Sequence, residues 1–159
     1  MIYRTATADD GDALLPLFLE MERFYDGENA ISEEDAKPRL LRALRHSPSH
    51  AIILAESDEP LGFVSIYEMF PAARLERVWF LKELFVRNAA RGAGVGEGLV
   101  REAARHALRQ GGARLDFTTD RSNEAAQRFY ARLRAPIASK IYYSFEDGAL
   151  ESLAGSKQS

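Results

Sequence analysis

The stretch Arg87–Leu99, "RNAARGAGVGEGL", sets four glycines (Gly92, Gly94, Gly96 and Gly98) at alternate positions between an apolar run and an amphipathic one. A glycine inside a helix costs about 1 kcal/mol relative to alanine. Four of them at a helix start require something that approaches the backbone closely. On the N-terminal side, "VWFLKELFV" (Val78–Val86) reads as a long apolar strand interrupted by Lys82 and Glu83. On the C-terminal side, Val95, Leu99, Ala103 and Ala107 fall on one helical stripe that Gly111 and Gly112 end. The stretch is a strand-to-helix turn.

The rest of the chain alternates in the same way. "IYRTA" reads as an opening strand, with Thr7 or an aspartate capping the helix that follows. Leu14, Leu17, Phe18, Met21 and Phe24 share a face between Ala13 and Tyr25. A second helix is expected from Ser32, whose S-x-x-D pattern resembles a capping box. "AIILAE" and "LGFVSIYEM" form a hairpin about the turn "SDEP". After the glycine stretch come a strand, "RLDFTT", a helix from Asn123 to Leu133 with Ala126, Phe129, Tyr130 and Leu133 inward, and a last strand, "KIYYSF". Strand–helix–strand in this half implies a parallel crossover. One domain is expected over residues 1–147, followed by a disordered polar tail over 148–159.

Composition narrows the chemistry. The 159 residues contain no cysteine, which removes thiolate ligands and nucleophiles, and His46, His50 and His106 lack metal-ligand spacing. No metal is expected. No apolar run reaches the ~20 residues that span a bilayer, and the N-terminus does not read as a signal peptide. A cytoplasmic location is the default expectation. The net charge of −3 conceals a window, Glu20–Asp35, that carries seven acids against Arg23 alone. That window is either a solvated helix face or a site for a cationic ligand. The acidic balance argues against nucleic acid as a partner.

Phosphate-binding templates can be tested by spacing. No Gly-Lys pair follows the glycines, so a Walker A loop is excluded, and G-x-G-x-x-G fails in both frames, ending on Glu97 or Leu99. What remains is Arg91-x-x-Gly94-x-Gly96 at the helix start. There, unpaired amides and the positive dipole end face outward, and an arginine adds charge for a pyrophosphate. A flexible loop with a tight helix–sheet contact is the plainer alternative.

"RGAGVG" fits in full the coenzyme A motif [RQ]-x-x-G-x-[GA] of the GNAT (Gcn5-related) N-acetyltransferases, and the chain resembles that family from "YRTATADD" to "KIYYSF". "NEAAQRFY" (Asn123–Tyr130), about 30 residues on, is similar to the family's N-x-x-A-x-x-F-Y. Within the family the chain looks most like the spermidine/spermine- and thialysine-type enzymes. The resemblance implies a single mixed, mostly antiparallel sheet of six to seven strands, with a central splayed strand pair and about four flanking helices. It also implies acetyl-CoA as cofactor and a homodimer.

The implied reaction moves an acetyl group to a primary amine by direct attack through a tetrahedral intermediate. Backbone groups of Leu84, Phe85 and Val86 would serve the pantetheine arm. Arg91 and the segment Gly92, Ala93, Gly94, Val95, Gly96 and Glu97 would hold the pyrophosphate. Asn123 and Ala126 match coenzyme-contacting positions, and Tyr130 matches the tyrosine that protonates the leaving sulfur. A tyrosine beside a phenylalanine on an apolar helix face also fits a core position.

Glu83 is the candidate base, because a charge in an apolar strand is costly unless it has a use or a partner; a polar edge is the plainer reading. The polyamine acetylases have two adjacent acids at these positions, and Lys82 departs from that pattern, favouring an acceptor that bears its own carboxylate. By analogy of fold, Tyr25, Asp26 and Glu28 would line the acceptor site, with Tyr142 a further candidate. Arg134 stands where the family places a glycine, so the helix end is expected to forgo a glycine left-handed cap. The acceptor is expected to be a small amine, a diamine, polyamine or lysine-like amino acid. A peptide or protein acceptor, or a non-catalytic coenzyme A-binding module, are the alternatives.

Overall fold

The computed structural model describes residues 1–45, 47–146 and 148–155; His46, Asp147 and the tail residues 156–159 lie outside the described residues. The chain divides into two compact units, Met1–Ser122 and Asn123–Ser159. The first runs β1 (Ile2–Thr5), α1 (Gly11–Asp26), α2 (Glu33–Ala43), β2 (His50–Glu56), β3 (Pro60–Met69), β4 (Arg77–Val86), α3 (Val95–Arg109) and β5 (Gly112–Phe117). The sheet order is β1-β2-β3-β4-β5, antiparallel except for the parallel β4–β5 pair that α3 connects.

Each face of the sheet has its own core. Leu14, Leu17 and Met21 of α1 and Leu40 of α2 pack on Ile52, Leu54, Phe63 and Phe85. Val95, Leu99, Ala103 and Ala107, the stripe read from the sequence, pack on Ile53, Val64, Ile66, Trp79 and Leu81 from the other side. Ser32 caps α2 by accepting from the Asp35 amide at 3.1 Å, so Pro38 does not displace the helix start. Phe24, expected on the inward face of α1, is instead 62% exposed.

The turn between β1 and α1 is closed by one buried carboxylate. Asp10 accepts from Arg4 at 2.7 and 2.9 Å, from the Thr7 amide at 2.7 Å and from the Thr7 hydroxyl at 3.1 Å. The Arg4 guanidinium, aided by Thr7, outweighs burial and holds the Asp10 carboxyl at about 2. Its contribution to stability is therefore complete above about pH 4 and is lost as pH falls toward 2, amounting to about 2 kcal/mol. Burial lowers the pKa of both His50 and His106, so their contribution is already being lost as pH drops below about 6.5. Asp10→Asn is expected to cost about 2 kcal/mol at neutral pH and to flatten stability between pH 4 and 2. Urea midpoints across that range check this; an unchanged slope would dissociate Asp10 from acid unfolding.

The second unit begins with α4 (Glu124–Arg132) and ends with α5 (Gly148–Ala154), a short helix within the stretch read as a disordered tail. The expected strand "KIYYSF" is not one: residues 135–146 carry no regular structure, so the described chain has five strands and five α-helices rather than six to seven and four. The inward stripe of α4 is correct in phase but only half-buried, at Ala126, Phe129, Tyr130 and Leu133.

The helix end has no glycine, and Arg134 itself takes the left-handed conformation, at φ +58°. The Arg134 amide donates to the Ala131 carbonyl at 3.0 Å and the Ala135 amide to the Tyr130 carbonyl at 3.2 Å, the two bonds of a Schellman motif. A side chain pays about 1 kcal/mol for that backbone. Arg134→Gly is expected to stabilise the helix end by about 0.5–1 kcal/mol. Amide exchange at Ala131–Ala135 reads this directly, and faster exchange in the variant would contradict it.

Candidate active site

The site grows from an irregularity in β4. Ser65 pairs with Glu83 and Ile66 with Leu81, so Lys82 is an extra residue, a bulge. One inserted residue reverses the alternation of faces. Trp79 and Leu81 point toward α3, and so do Leu84 and Val86; Glu83 and Phe85 are thereby turned to the α1 side. Without the bulge Glu83 would share the α3 face with Trp79 and Leu81.

At the same point the sheet opens. The parallel ladder between β4 and β5 ends at Leu81 and Phe117, while β4 continues against β3 to Val86. Among the described residues the Leu84–Val86 backbone is thus in a ladder on one side only, and the strands part between β4 and the edge strand β5 rather than at the centre of the sheet. Phe85 is buried, and Leu84 and Val86 pack half-buried beneath α3, so the backbone of this segment rather than its side chains faces the opening.

The turn that follows answers the glycine question residue by residue. Gly92 and Gly94 have φ of +82° and +81°, where a side chain is strained, and a Cβ at either would meet nothing within 4 Å. The first intrahelical bond runs from the Gly98 amide to the Gly94 carbonyl at 3.0 Å, which leaves the Val95, Gly96 and Glu97 amides as helix-start orphans. Val95 sends its side chain into the core. Glu97 turns its carboxylate to Arg101 at 2.6 Å, so its charge is matched. Gly98 has a different purpose: a Cβ there would collide with the Tyr3 ring, so this glycine lets α3 lie on β1. The open side of Gly92 and Gly94, the orphan amides and the adjacent Arg91 guanidinium fit an anionic diphosphate.

Two aromatic residues at the end of α1 face this region. The Arg91 guanidinium lies over the Phe24 ring, 5.2 Å from its centroid, and its Nε donates to the Val86 carbonyl at 3.0 Å. Phe24 meets Tyr25 edge-on, with centroids 5.2 Å apart. Burial pushes the Tyr25 phenol above its usual pKa; Glu83 and Asp120 add to the shift, and Arg91 and Lys82 oppose it. Tyr25, Lys82, Glu83, Arg91 and Asp120 therefore form one electrostatic neighbourhood. Glu83 is about one-third exposed and its carboxylate is paired with the Lys82 ammonium at 2.8 Å. Asp26 and Glu28 are exposed where α1 ends.

The remaining expected residues belong to the second unit. The Asn123 side chain caps α4, accepting from the Ala126 amide at 3.0 Å. Tyr130 is half-buried, its ring edge-on to Phe129 with centroids 5.1 Å apart. Tyr142 is 81% exposed in the segment without regular structure. Phe24 and Asp120 adjoin this region although the sequence does not single them out as site candidates, whereas Glu20 belongs to the acidic window Glu20–Asp35. Phe24 is legible there only as a helical apolar residue, and no local signal marks Asp120.

Among the described residues no group of histidines, cysteines or acids is placed to hold a metal, and no helix is long and apolar enough to cross a membrane.

A model of the acetyltransferase (GNAT) family matches residues 15–134. YhfO, an uncharacterized N-acetyltransferase of Bacillus subtilis strain 168, is 31% identical over 130 residues, which is 82% of this chain and 86% of that one. An uncharacterized N-acetyltransferase of Archaeoglobus fulgidus is 30% identical over 140 residues, 86% and 95% of the two chains. Integron cassette protein VCH_CASS6, from the mobile metagenome of V. cholerae, has the same fold with a TM-score of 0.90 at 34% identity, covering 98% of both chains. The crystal structure of a probable acetyltransferase gives 0.80 at 29% identity, covering 92% of this chain and 98% of that one. The chain belongs to the GNAT acetyltransferase family. Its reaction class is N-acetyl transfer.

Proposed function

We propose that the protein transfers the acetyl group of acetyl-CoA to the primary amine of a small molecule, a diamine or polyamine or a lysine-like amino acid. The observation that carries this reading is the coincidence of the β4 bulge with the end of the β4–β5 ladder: a carboxylate turns to the α1 side where the sheet opens beside bare helix-start amides. The looser likeness to the spermidine/spermine- and thialysine-type enzymes supports an amine acceptor.

In this reading the Val95, Gly96 and Glu97 amides and Arg91 bind the diphosphate, and the backbone of Leu84–Val86 orients the pantetheine arm. Asn123 and Ala126 complete the coenzyme contacts. Bound there, acetyl-CoA supplies an activated acyl thioester. An alkyl ammonium with a pKa near 10.4 is neutral about once in a thousand molecules at pH 7.4, a deficit of roughly 4 kcal/mol. Glu83 accepts that proton, directly or through water. The phenol of Tyr130 donates a proton to the leaving sulfur. Tyr25, Asp26 and Glu28 attract the cationic acceptor, Tyr142 is a further contact, and Lys82, set beside Glu83, favours an acceptor bearing a carboxylate.

The test is release of free thiol from acetyl-CoA over a panel of diamines, polyamines, lysine-like amino acids and short peptides. Turnover with a small amine is the expected result. Turnover confined to peptides would transfer the reading to a protein acceptor, and binding without turnover would leave a coenzyme-binding module. The homodimer is part of the same proposal, supported by the exposure of Ile137, Ile141, Tyr142, Tyr143 and Phe145, each at least 58%. Sedimentation as a monomer at micromolar concentration would remove it.

A further inference from the structure

The motif arginine is held by a residue outside the coenzyme motif. The Arg91 guanidinium has five N–H donors in one plane; Nε is committed to the Val86 carbonyl at 3.0 Å. The Arg91 Cζ lies over the Phe24 ring, 5.2 Å from its centroid. A hydrogen bond at Nε and an aromatic ring beside Cζ together restrict where the group can lie, and neither contact uses its terminal Nη donors. An unheld arginine side chain would lose more rotamer entropy on meeting an anion than one held in this way.

The ring is itself fixed relative to the loop. One turn earlier on α1, Glu20 accepts from the Asn88 amide at 3.2 Å and lies 3.6 Å from the Arg87 guanidinium. The last turns of α1 are thus tied to the segment Arg87–Arg91 at three points. Phe24 is 62% exposed, so core packing does not account for a large aromatic residue there.

We propose that Phe24 is a positioning residue for coenzyme binding, acting through Arg91. This rests on the coenzyme reading above, in which Arg91 meets the diphosphate. Phe24 need not touch the coenzyme; its ring pre-sets the guanidinium that does.

The experiment is calorimetric titration of CoA into the wild-type protein, Phe24→Leu, Phe24→Tyr, Arg91→Gln and the Phe24→Leu/Arg91→Gln double variant. Phe24→Leu is expected to weaken CoA binding about three- to fivefold, the range of an exposed cation–π contact. Phe24→Tyr, which keeps the ring face, is expected to bind within about twofold of wild type. In the Arg91→Gln background Phe24→Leu should have no further effect, because its partner is gone. A residue serving only general stability would lower affinity in both backgrounds and would not be rescued by tyrosine. Unchanged affinity in Phe24→Leu, failure of the tyrosine rescue, or an undiminished loss in the Arg91→Gln background would each overturn the proposal. Wild-type protein that does not bind CoA would instead overturn the coenzyme reading and this inference with it.

Discussion

Tyr130→Phe is expected to lower kcat by about 10- to 1000-fold while CoA affinity stays close to that of the wild type, in keeping with the range of acid–base contributions. The substitution removes one hydroxyl from a half-buried ring and keeps its edge contact with Phe129. In the proposed mechanism what is lost is the proton for a departing thiolate. A low-pKa leaving group needs that proton least, so the loss should shrink when the acyl donor is an acetyl aryl thioester. Steady-state kinetics with both donors gives the comparison, and wild-type turnover by the variant would take Tyr130 out of the mechanism.

The second large effect is expected at Glu83. Glu83→Gln keeps the shape of the side chain and its place on the α1 side of β4, but removes the group proposed to take the ammonium proton. At pH 7 kcat/KM should fall about 100-fold, within the usual range for loss of a general base. The deficit should narrow as pH rises, because the free amine fraction grows about tenfold per unit below its pKa and the base becomes dispensable. A pH profile in which wild type and variant run parallel up to pH 10 would assign Glu83 a structural role beside Lys82.

How much of this is readable in the chain depends on the element. The α3 stripe is fully legible, since Val95, Leu99, Ala103 and Ala107 follow the helical period and are all buried. The turn before it is legible because alternate glycines mark the strand-to-helix junction, where Gly92 and Gly94 do take positive φ and α3 starts at Val95. The fourth glycine is not: Gly98 answers to Tyr3, far away in sequence, and only the packing of α3 on β1 reveals it.

The strands are legible as segments but not in register. The alternation of β4, read straight through, puts Glu83 on one face with Trp79 and Leu81; the bulge at Lys82 moves it to the other. Its visible trace is the pair of charges in an apolar run. "KIYYSF" has every local preference of a strand, yet strand propensity becomes a strand only where a ladder partner exists, and 135–146 pairs with none among the described residues. Phe24 shows the converse. Its helical spacing points to the core, but it lies in the last turn of α1, beyond the buried stripe, where an arginine from the glycine turn covers it.

Nitrogen-15 amide NMR during a titration with CoA puts the coenzyme reading to the most direct test. The largest shifts should fall on Val95, Gly96 and Glu97 at the start of α3, with a second group on Leu84–Val86 where β4 runs unpaired. Shifts gathered elsewhere on the molecule, with those amides unmoved at saturation, would contradict it.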